Sequence, residues 1–599
     1  MGDMKDRNST VNLSPIGNCA TAALIDHEAR IVWWCYPYLD GDPVFCRLLM
    51  DEQEDGFMDI VLDRFQRAEQ RYRPNSAVLE TTLWASDGSG IRVIDFAPRF
   101  IQHERSYRPP MLIRRIEPIC GYPRLQVRIR PRFSWGAASP RKVMGSNHIR
   151  YVGDSETLRV TTNAPVAYVA REAAFVVTQP IVFVLGADEI FPADLEETSN
   201  RFEERTRSYW FQWCRNLSIP LEWQDAVLRS AITLKLSAYE ETGAVVAAMT
   251  TSIPEAPHTE RNWDYRACWL RDAFFVVRAL NLLGATRTME GFLGYMRNAF
   301  ALSQDGWLKP VYGLVPSDDL DEVIVAALPG YRGMGPVRRG NAAHVQRQND
   351  VFGAAIMANT QWFHDQRLPA IDKSALFQEL ERMGEKAVAV ALEPDAGIWE
   401  YRGRARVHTH SALMCWASAD RLRRIALTLR AEDRAAYWSG HADRIRTWIE
   451  ERTWNAELGA FVESEGSQTL DASVLLMADL GFLPPTDPRF VSTVEAIGAG
   501  LMRGKYLLRY NHPDDFGEPE TAFIVCTFWY VLALHAIGRT DDARAIFIDL
   551  LSRRNAAGLF SEDLDPATGE LWGNYPQTYS LVGTILCAVA LSRPWSEIA

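Results

Sequence analysis

The chain has 599 residues, of which 47% are hydrophobic and 23% are charged, and its formal net charge is −12. This length exceeds that of one ordinary domain, so we expect two or more domains. The acidic balance argues against a nucleic-acid partner, which requires a basic surface, and it offers no polybasic segment for membrane attachment.

Neither a targeting signal nor a membrane span is predicted. Residues 1–18 lack the apolar core of a secretory signal, and no run of about 18 apolar residues occurs. The 9 cysteines are scattered without a CxxC pair, which is typical of reduced thiols in a protein core rather than of a disulfide framework or a zinc site. We therefore expect a cytoplasmic protein without a membrane partner.

Residues 1–195 are predicted to form an N-terminal β-sandwich domain. Short runs rich in β-branched and aromatic residues are separated by turn residues, and polar and apolar positions alternate in 126–130. Repeated strands without an intervening helical pattern indicate two packed antiparallel sheets. Residues 33–42 are too aromatic and turn-rich for a plain strand. They form either a loop offered to a neighbouring site or a packed contact between domains.

The rest of the chain is predicted to be helical. Residues 196–220 indicate an amphipathic linker helix, and residues 221–599 indicate a larger helical domain. Within that domain we predict helices near 222–241, 268–284, 287–302, 348–364, 373–392, 409–429, 431–452, 469–480, 489–502, 520–537, 540–553 and 577–592. This paired series favours a closed (α/α)6 barrel, in which outer helices surround a ring of inner ones.

Long segments rich in aromatic, charged, glycine and proline residues precede the even-numbered helices. In chain order they are RNWDYRACWLRD, GYRGMGPVRRGNAAHVQRQND, DAGIWEYRGRARVHTH, TWNAELGAFVESEGSQ, LLRYNHPDDFGEPE and LFSEDLDPATGELWGNYPQ. Because the even-numbered helices of an alternating barrel begin at the same end, these segments should converge on one rim. We expect the binding pocket there.

The segment 251–284 has the composition of a sugar-binding wall. It places Arg261, Asp264, Arg266, Arg271 and Asp272 among Trp263, Tyr265 and Trp269, ahead of an apolar helix. Aromatic faces stack on the apolar side of a pyranose, and charged groups hydrogen-bond to its hydroxyls. The alternative interpretation is a structural Arg–Asp pair beneath a helix start.

A pocket of this composition without a metal or phosphate motif indicates glycoside chemistry. The sequence has no GxGxxG at a strand-to-helix turn, no GxxxxGK[ST] and no GxSxG, which argues against nucleotide binding and a serine hydrolase. His408 and His410 have no further ligand-like neighbours in the sequence. We therefore expect neither a cofactor nor a metal.

Glycoside hydrolysis needs one carboxylic acid and one carboxylate, on opposite sides of the bond. Glu400 in GIWEYRG is the candidate acid, because Ile398 and Trp399 can desolvate its carboxyl and keep it protonated. The alternative is a salt bridge from Glu400 to Arg402 or Arg404. The candidate bases are Glu562, Asp563 and Asp565, with Glu518 and Glu520 as more distant possibilities.

The order and spacing of several motifs resemble glycoside hydrolase family 15, the glucoamylase-like group with glucodextranase- and trehalase-type bacterial members. The resemblance spans nearly the whole chain. It rests on SPIGNCATAALID, IVWWCYP and DPVFCRLL, then on GAVVAAMTTSIPE, RNWDYRACWLRDA, YRGMGPVRRGNAA, GIWEYRG, LDASVLLMADLGFL, LLRY, CTFWYVLALHAIGR and DPATGELWGNYPQTYS. It implies a multi-domain β + α fold, an N-terminal antiparallel β-supersandwich followed by an (α/α)6 barrel catalytic domain, in agreement with the patterns above.

The resemblance also implies roles for single residues. Glu400 would be the general acid and Glu562 of GLFSEDLD the general base of an inverting reaction. The residues expected to hold glucose are Tyr265, Trp269, Arg271 and Asp272, together with Arg509 of LLRY. Trp399 would form part of the pocket wall, and Asp350 of QRQND would lie in a loop that shapes the pocket.

We therefore expect an exo-acting α-glucosidase of the glucoamylase type, which releases β-glucose from the non-reducing ends of α-linked gluco-oligosaccharides. The alternatives are a trehalase or an isomaltose/dextran-type glucohydrolase of the same family and, from another class, an inactive glycan-binding protein. Departures from the family pattern at 37–41, at 258–260 and in LVPSDD are expected to border the leaving-group subsite. The substrate would be a small oligosaccharide or disaccharide, and the sequence is compatible with an oligomer.

Overall fold

The computed structural model describes residues 11–50, 54–190, 194–303, 306–317 and 319–598. Its N-terminal part consists almost entirely of strands. They are β1 (Ser14–Gly17), β2 (Ala22–Ile25), β3 (Ile31–Tyr36), β4 (Asp42–Phe45), β5 (Phe57–Leu62), β6 (Phe65–Tyr72), β7 (Leu79–Ala85), β8 (Gly90–Phe96), β9 (Phe100–Gln102), β10 (Arg105–Tyr107), β11 (Leu112–Cys120), β12 (Arg124–Arg130), β13 (Arg141–Met144), β14 (His148–Val152), β15 (Thr157–Thr162), β16 (Phe175–Val176) and β17 (Ile181–Gly186). A short helix, α1 (Val166–Ala170), lies between β15 and β16.

These strands form two large antiparallel sheets. One has the order β1-β2-β3-β5-β12-β16, with β4 paired to β3, and the other has the order β13-β14-β15-β17-β11-β8-β7-β6. β12 alternates between buried and more exposed positions, as a strand with one face in a core must. Trp34 of the first sheet shares an apolar cluster with Leu83 and Ile91 of the second. The predicted β-sandwich is therefore confirmed.

A long helix, α2 (Leu195–Arg215), connects the sandwich to the helical domain. Asp194 caps it by accepting a hydrogen bond from the backbone N–H of Glu197 at 2.8 Å. Its inner face is buried, with Trp210 fully covered, and its Glu203 forms an ion pair with Arg115 of β11. The helix is thus fixed to the sheet as well as to the domain that follows.

The helical domain contains a helix at every predicted position. The helices are α3 (Gln224–Leu236), α4 (Ala273–Leu282), α5 (Thr286–Ala301), α6 (Val351–Asn359), α7 (Gln361–His364), α8 (Lys373–Val390), α9 (Thr409–Thr428), α10 (Glu432–Arg452), α11 (Leu476–Asp479), α12 (Pro488–Leu501), α13 (Ile524–Ala536), α14 (Thr540–Leu551) and α15 (Thr578–Leu591). α6 and α7 share one predicted segment, and the segment predicted at 469–480 is shorter, with a 3-10 turn (Ala472–Leu475) before α11.

Short two-residue strands connect these helices. They are β18 (Ala238–Tyr239), β19 (Ala244–Val245), β20 (Cys268–Trp269), β21 (Val311–Tyr312), β22 (Val323–Ile324), β23 (Arg338–Arg339), β24 (Trp454–Asn455), β25 (Ala460–Phe461), β26 (Met502–Arg503), β27 (Tyr506–Leu507), β28 (Ala522–Phe523), β29 (Asp563–Leu564) and β30 (Leu571–Trp572). Because they pair within and between the connections, they give the long loops a fixed backbone.

Burial separates the helices into an inner and an outer set. α6, α13 and α15 are buried along nearly their whole lengths, as inner barrel helices must be. α10 instead buries a single face, at Ala435, Trp438, Ala442, Ile445 and Ile449. The fully buried helices are even-numbered in the predicted series, which agrees with the expected alternation of the (α/α)6 barrel.

Two inner helices pack closely at Gly353 of α6. A Cβ atom at this position would lie 2.3 Å from the carbonyl oxygen of Met414 in α9. We therefore expect Gly353→Ala to lower the free energy of unfolding by about 1–3 kcal/mol, because the two backbones must separate. The midpoint of thermal unfolding measures this effect.

Gly294 of α5 provides the matched control. A Cβ atom there meets nothing within 4 Å. Gly294→Ala should leave stability unchanged or raise it by about 0.5–1 kcal/mol, since alanine restricts the unfolded chain. Equal unfolding midpoints for the two variants would contradict the close approach of α6 and α9.

The aromatic segment 33–42 forms a packed contact between the domains. Trp33 is buried and donates a hydrogen bond from Nε1 to the carbonyl oxygen of Met249 at 2.8 Å. Arg266 donates from Nη1 to the carbonyl oxygen of Gly41 at 2.8 Å. The segment is therefore a packed contact between domains, the second of our two interpretations.

Among the described residues, no helix is long and apolar enough to span a membrane.

Candidate active site

A pocket lies where the inner helices begin. The predicted residues that line it are Tyr265, Trp269, Arg271, Asp272, Trp399, Glu400 and Arg509. They come from the loops before α4, α9 and α13, while Asn341 and Gln577 represent the loops before α6 and α15. The expected convergence on one rim is thus observed for these five loops.

The remaining loop, before α11, supports the pocket from behind. Asp471 accepts a hydrogen bond from Nε1 of Trp399 at 2.7 Å. This bond satisfies the indole N–H and fixes the ring, whose faces also meet Tyr510 and Trp529. Trp399 is therefore a fixed part of the pocket lining.

Glu400 is held in the pocket through one of its two carboxyl oxygens. Oε1 accepts hydrogen bonds from Trp269 Nε1 at 2.7 Å and Gln348 Nε2 at 3.3 Å, and it lies 2.9 Å from Arg271 Nη1. The side chain retains 18% of its exposure. Oε2 is therefore the oxygen left to interact with a substrate.

The salt bridge considered as an alternative for Glu400 does not form. Arg402 instead pairs with Glu322 at 2.8 Å, and Arg404 pairs with Glu463 at 3.2 Å. The ionic partner of Glu400 is Arg271, which belongs to the first pocket loop. The carboxyl thus faces the pocket and not its own loop.

The backbone at Glu400 is strained and firmly supported. Its φ of +61° lies in the left-handed region, which non-glycine residues rarely adopt. Two residues further along the same loop are fixed because Asp515 accepts hydrogen bonds from the N–H groups of Arg402 and Gly403, at 2.6 and 2.9 Å. Such supported strain is typical of functional positions.

Arg271 lies among several carboxyl groups. Its Nε is 3.9 Å from Asp272, and its Nη1 donates to Gln348 Oε1 at 3.2 Å. Burial raises the pKa of Asp272 to about 7, with Arg271 opposing the shift. Burial also raises the pKa of Asp350 to about 6. Asp350 is completely buried and lies behind the pocket surface rather than on it.

Glu562 is more deeply buried than expected. Only 1% of the residue is exposed, and it does not line the pocket. Oε2 accepts a hydrogen bond from the N–H of Asn574 at 3.3 Å, Oε1 has no hydrogen-bond partner among the described residues, and Tyr265 lies beside the side chain. Burial raises the pKa of Glu562, and the charges of Glu255 and Asp563 raise it further.

One aromatic pair connects the two glutamates. The rings of Tyr265 and Trp269 meet edge to face with centroids 5.1 Å apart. Trp269 hydrogen-bonds to Glu400, and Tyr265 lies beside Glu562. The ring pair therefore lies between a carboxyl that lines the pocket and one that is buried behind it, and the assignment of Glu400 as acid and Glu562 as base stays a prediction.

The other candidate bases differ in their burial. Asp563 is buried, its Oδ2 has no hydrogen-bond partner within the described part of the chain, and burial raises its pKa to about 8. Asp565 accepts hydrogen bonds within its own turn, from Ala567 and Thr568 at 2.8 Å. Glu518 and Glu520 are exposed.

The sequence analysis missed one residue that lines the pocket, Glu255, and one that contacts two of its side chains, Gln348. Glu255 forms an ion pair with Arg509 and accepts a hydrogen bond from Trp263 Nε1 at 2.8 Å. Gln348 contacts both Arg271 and Glu400. Glu255 lies within the charged and aromatic segment 251–284, which was the available signal, whereas Gln348 had none of comparable strength.

One group of side chains outside the pocket has atoms close enough to hold a metal. Asp319, Asp321 and His344 bring their ligand atoms within 4.8 Å of one another. Both aspartates are strongly exposed, and exposed acidic groups commonly lie together without an ion. Asp318 of the same acidic segment lies outside the described residues. We assign no metal to this group.

A β-sandwich joined to an (α/α)6 barrel, with glutamates and aromatic rings at the barrel rim, is the architecture of a glycoside hydrolase. Comparison with protein families agrees. Residues 223–589 match glycosyl hydrolases family 15, and residues 6–193 match a trehalase-like N-terminal domain. The chain belongs to glycosyl hydrolase family 15, as its motifs predicted, and it is a glycoside hydrolase.

Relatives and a solved structure extend along both domains. A protein named trehalase from Thermoplasma volcanium is 30% identical over 96% of this chain and 93% of its own length. One of the same name from Mycolicibacterium smegmatis is 32% identical, with coverage of 97% and 91%. A crystal structure of a bacterial glucoamylase with acarbose has a TM-score of 0.67 at 13% identity, covering 97% of this chain and 93% of that one. This last likeness confirms the fold.

Proposed function

We propose that the protein hydrolyses trehalose to two glucose molecules with inversion at the attacked carbon. The choice of trehalose rests on one observation: relatives that match both domains, at 30–32% identity, are named trehalases. This proposal takes the alternative of the sequence analysis in place of the glucoamylase-type activity. The two activities share the glucose-holding part of the pocket and differ in the leaving group.

Glu400 would act as the general acid. Three donors engage Oε1, so Oε2 is the oxygen that would carry the proton to the glycosidic oxygen. Transfer of this proton lets the second glucose leave as a neutral alcohol. Arg271, which lies 2.9 Å from Oε1, would also donate hydrogen bonds to hydroxyls of the bound sugar.

Glu562 would act as the general base. Its unpartnered Oε1 is the acceptor for a proton from the attacking water. The water would attack the anomeric carbon on the face opposite the leaving oxygen, which requires carboxyls about 6.5–9.5 Å apart. The raised pKa of Glu562 suits this role, since a stronger proton acceptor activates water better, provided that the pH is high enough to ionise it.

Residues of the first pocket loop would hold the attacked glucose. Arg271, Asp272 and Arg509 can make charge-assisted hydrogen bonds to its hydroxyls, and Tyr265 and Trp269 offer ring edges and faces to its carbons. Trp399 would close the same side. These are the roles that the resemblance to the family implies.

Trehalose offers a direct test of inversion. Both of its anomeric carbons are α, and only one is attacked in each turnover. We therefore expect the first products, followed by proton NMR before mutarotation, to be one β-glucose for each α-glucose. Release of α-glucose alone would mean retention of configuration and would contradict the pairing of Glu400 with Glu562.

A panel of trehalose, maltose, isomaltose, kojibiose and nigerose tests the substrate. The proposal predicts the highest kcat/KM for trehalose. Faster hydrolysis of maltose or isomaltose would replace trehalose by a glucoamylase- or dextran-type substrate without altering the family. Sugar binding without hydrolysis of any glucoside would favour the glycan-binding alternative.

A further inference from the structure

Glu562 belongs to a cluster of buried ionisable groups beside the pocket. Its members are Glu255, Arg261, Arg509, Glu562 and Asp563, and none of them is more than 8% exposed. Three carboxyls thus share two guanidinium groups, of which Arg261 also pairs with Asp514. The division of the two positive charges among the carboxyls determines which carboxyl binds a proton most strongly.

Glu255 holds the largest share of this positive charge. It forms an ion pair with Arg509 and lies 3.9 Å from Nη1 of Arg261. Its Oε1 also accepts the hydrogen bond from Trp263 at 2.8 Å. Arg261 has a second partner, Asp514, at 2.6 Å, whereas the described ion pair of Arg509 is with Glu255.

Glu255 is also fixed relative to the Glu562 loop. The hydroxyl of Thr521 donates to the carbonyl oxygen of Glu255 at 2.9 Å and to Oδ1 of Asp563 at 3.1 Å. The N–H of Gly573 donates to the carbonyl oxygen of Pro254 at 2.8 Å, and a Cβ atom on Gly573 would lie 2.6 Å from Cβ of Glu562. The backbone at 254–255 is therefore held against the loop that carries Glu562.

We propose that Glu255 is a positioning residue of the reaction: it holds Arg509 and Trp263 in the pocket wall, and its negative charge makes Glu562 a stronger proton acceptor. This inference rests on the proposed role of Glu562 as the base. It assigns a function to Glu255, a carboxylate that lines the pocket but contacts neither Glu400 nor Glu562. Glu255 acts through Arg509 and through its own charge.

The groups that face Glu562 support this assignment. They are Glu255, Asp563, Arg509 and the hydroxyl of Tyr265. After burial, the charge of Glu255 contributes most to the raised pKa of Glu562, whereas Tyr265 and Arg509 act in the opposite direction. Neutralising Glu255 would remove one repulsive charge and release Arg509 towards Glu562. Both changes stabilise the ionised form of Glu562.

The test is the dependence of kcat/KM on pH, measured with whichever glucoside of the panel is hydrolysed fastest. In Glu255→Gln, the acidic limb of the profile, where the base becomes protonated, should move to lower pH by about one unit or more. The plateau should fall by about tenfold or more, because Glu562 becomes a weaker base. Glu255→Asp keeps the charge and should leave the limb close to its wild-type position.

Two further variants separate this role from a merely structural one. Arg509→Met removes the positive charge and should move the acidic limb in the opposite direction, to higher pH. Asp514→Asn, which removes a partner of Arg261 on the same wall, should leave the limb in place even if KM changes. An unmoved limb in both Glu255→Gln and Arg509→Met, with activity reduced at every pH, would overturn the proposal.

The choice of substrate keeps two failures distinct. If trehalose is not the best glucoside, the proposed function changes, but the limb test is carried out on the substrate that replaces it. If the wild-type enzyme hydrolyses trehalose and the limb is unmoved in these variants, only the role of Glu255 is wrong.

Discussion

We expect Glu562→Gln to remove almost all glycoside hydrolysis while the protein stays folded. Glutamine has the shape of glutamic acid but cannot accept a proton from water. We expect kcat to fall by about 10²–10⁴-fold, the range for loss of a positioned general base, with a much smaller change in KM. Initial rates of glucose release and circular dichroism measure activity and folding.

Stability should change in the opposite direction. The pKa of Glu562 is raised in the folded protein, so ionisation of this group disfavours the folded state. The stability associated with its protonated form is present at acidic pH and is lost as pH rises towards the folded-state pKa. The neutral amide avoids that loss. Glu562→Gln should therefore unfold at the same temperature as the wild type or higher at pH 7, and the difference should shrink at pH 4.

Asp565→Asn is the matched control on the same loop. Asp565 accepts hydrogen bonds within its own turn, and asparagine can replace most of them. We expect near-normal kcat for this variant. If Asp565→Asn lost activity and Glu562→Gln kept it, the base would have to be reassigned within the acidic loop.

The architecture followed from patterns that are local in the sequence. Alternation of period two in runs such as 126–130 identified strands of the sandwich, and each periodic apolar segment after residue 221 corresponds to a helix. The exception is 469–480, which begins as a 3-10 turn and continues as the four-residue α11. The carboxylate of Asp471 in this segment accepts hydrogen bonds from Trp399 Nε1 and from the N–H of Ser473. Part of the segment therefore supports the pocket instead of extending a helix.

The electrostatics of the site depended on pairings that sequence spacing cannot reveal. The nearest arginines to Glu400 in the chain, Arg402 and Arg404, pair elsewhere. Its indole donor, Trp269, lies 131 positions away. Glu255 and Arg509 are separated by 254 positions. Residue types at the rim were therefore predictable, whereas the choice of partner was decided by how the loops meet.

The burial of single carboxyls could not be predicted from the sequence either. The loop before α15 contains three adjacent or nearly adjacent carboxyls, and the sequence gives them equal standing as candidates. The short sheet β28-β29-β30 places Asp563 in its middle strand and buries it together with Glu562, while Asp565 stays in a turn. Only the resemblance to the family distinguished Glu562 from its neighbours.

Glu400→Gln should cause the second large loss, and its size should depend on the leaving group. Glucose leaves poorly from trehalose unless its oxygen is protonated, so kcat for trehalose should fall by about 10²–10⁴-fold. Fluoride leaves from α-glucosyl fluoride with much less need of a proton. Glu400→Gln should therefore retain a substantial part of the wild-type rate on that substrate.

Comparing both glutamine variants on both substrates separates the acid from the base. Water must still be activated when fluoride leaves, so Glu562→Gln should lose activity on α-glucosyl fluoride as well as on trehalose. Glutamine at position 400 can still accept the hydrogen bonds from Trp269 and Gln348 through its amide oxygen, which keeps the strained loop in place. Equal losses on the two substrates for Glu400→Gln would mean that Glu400 holds the sugar instead of protonating the leaving oxygen. If instead Glu562→Gln lost activity on trehalose but kept it on α-glucosyl fluoride, Glu562 would be the acid and Glu400 the base.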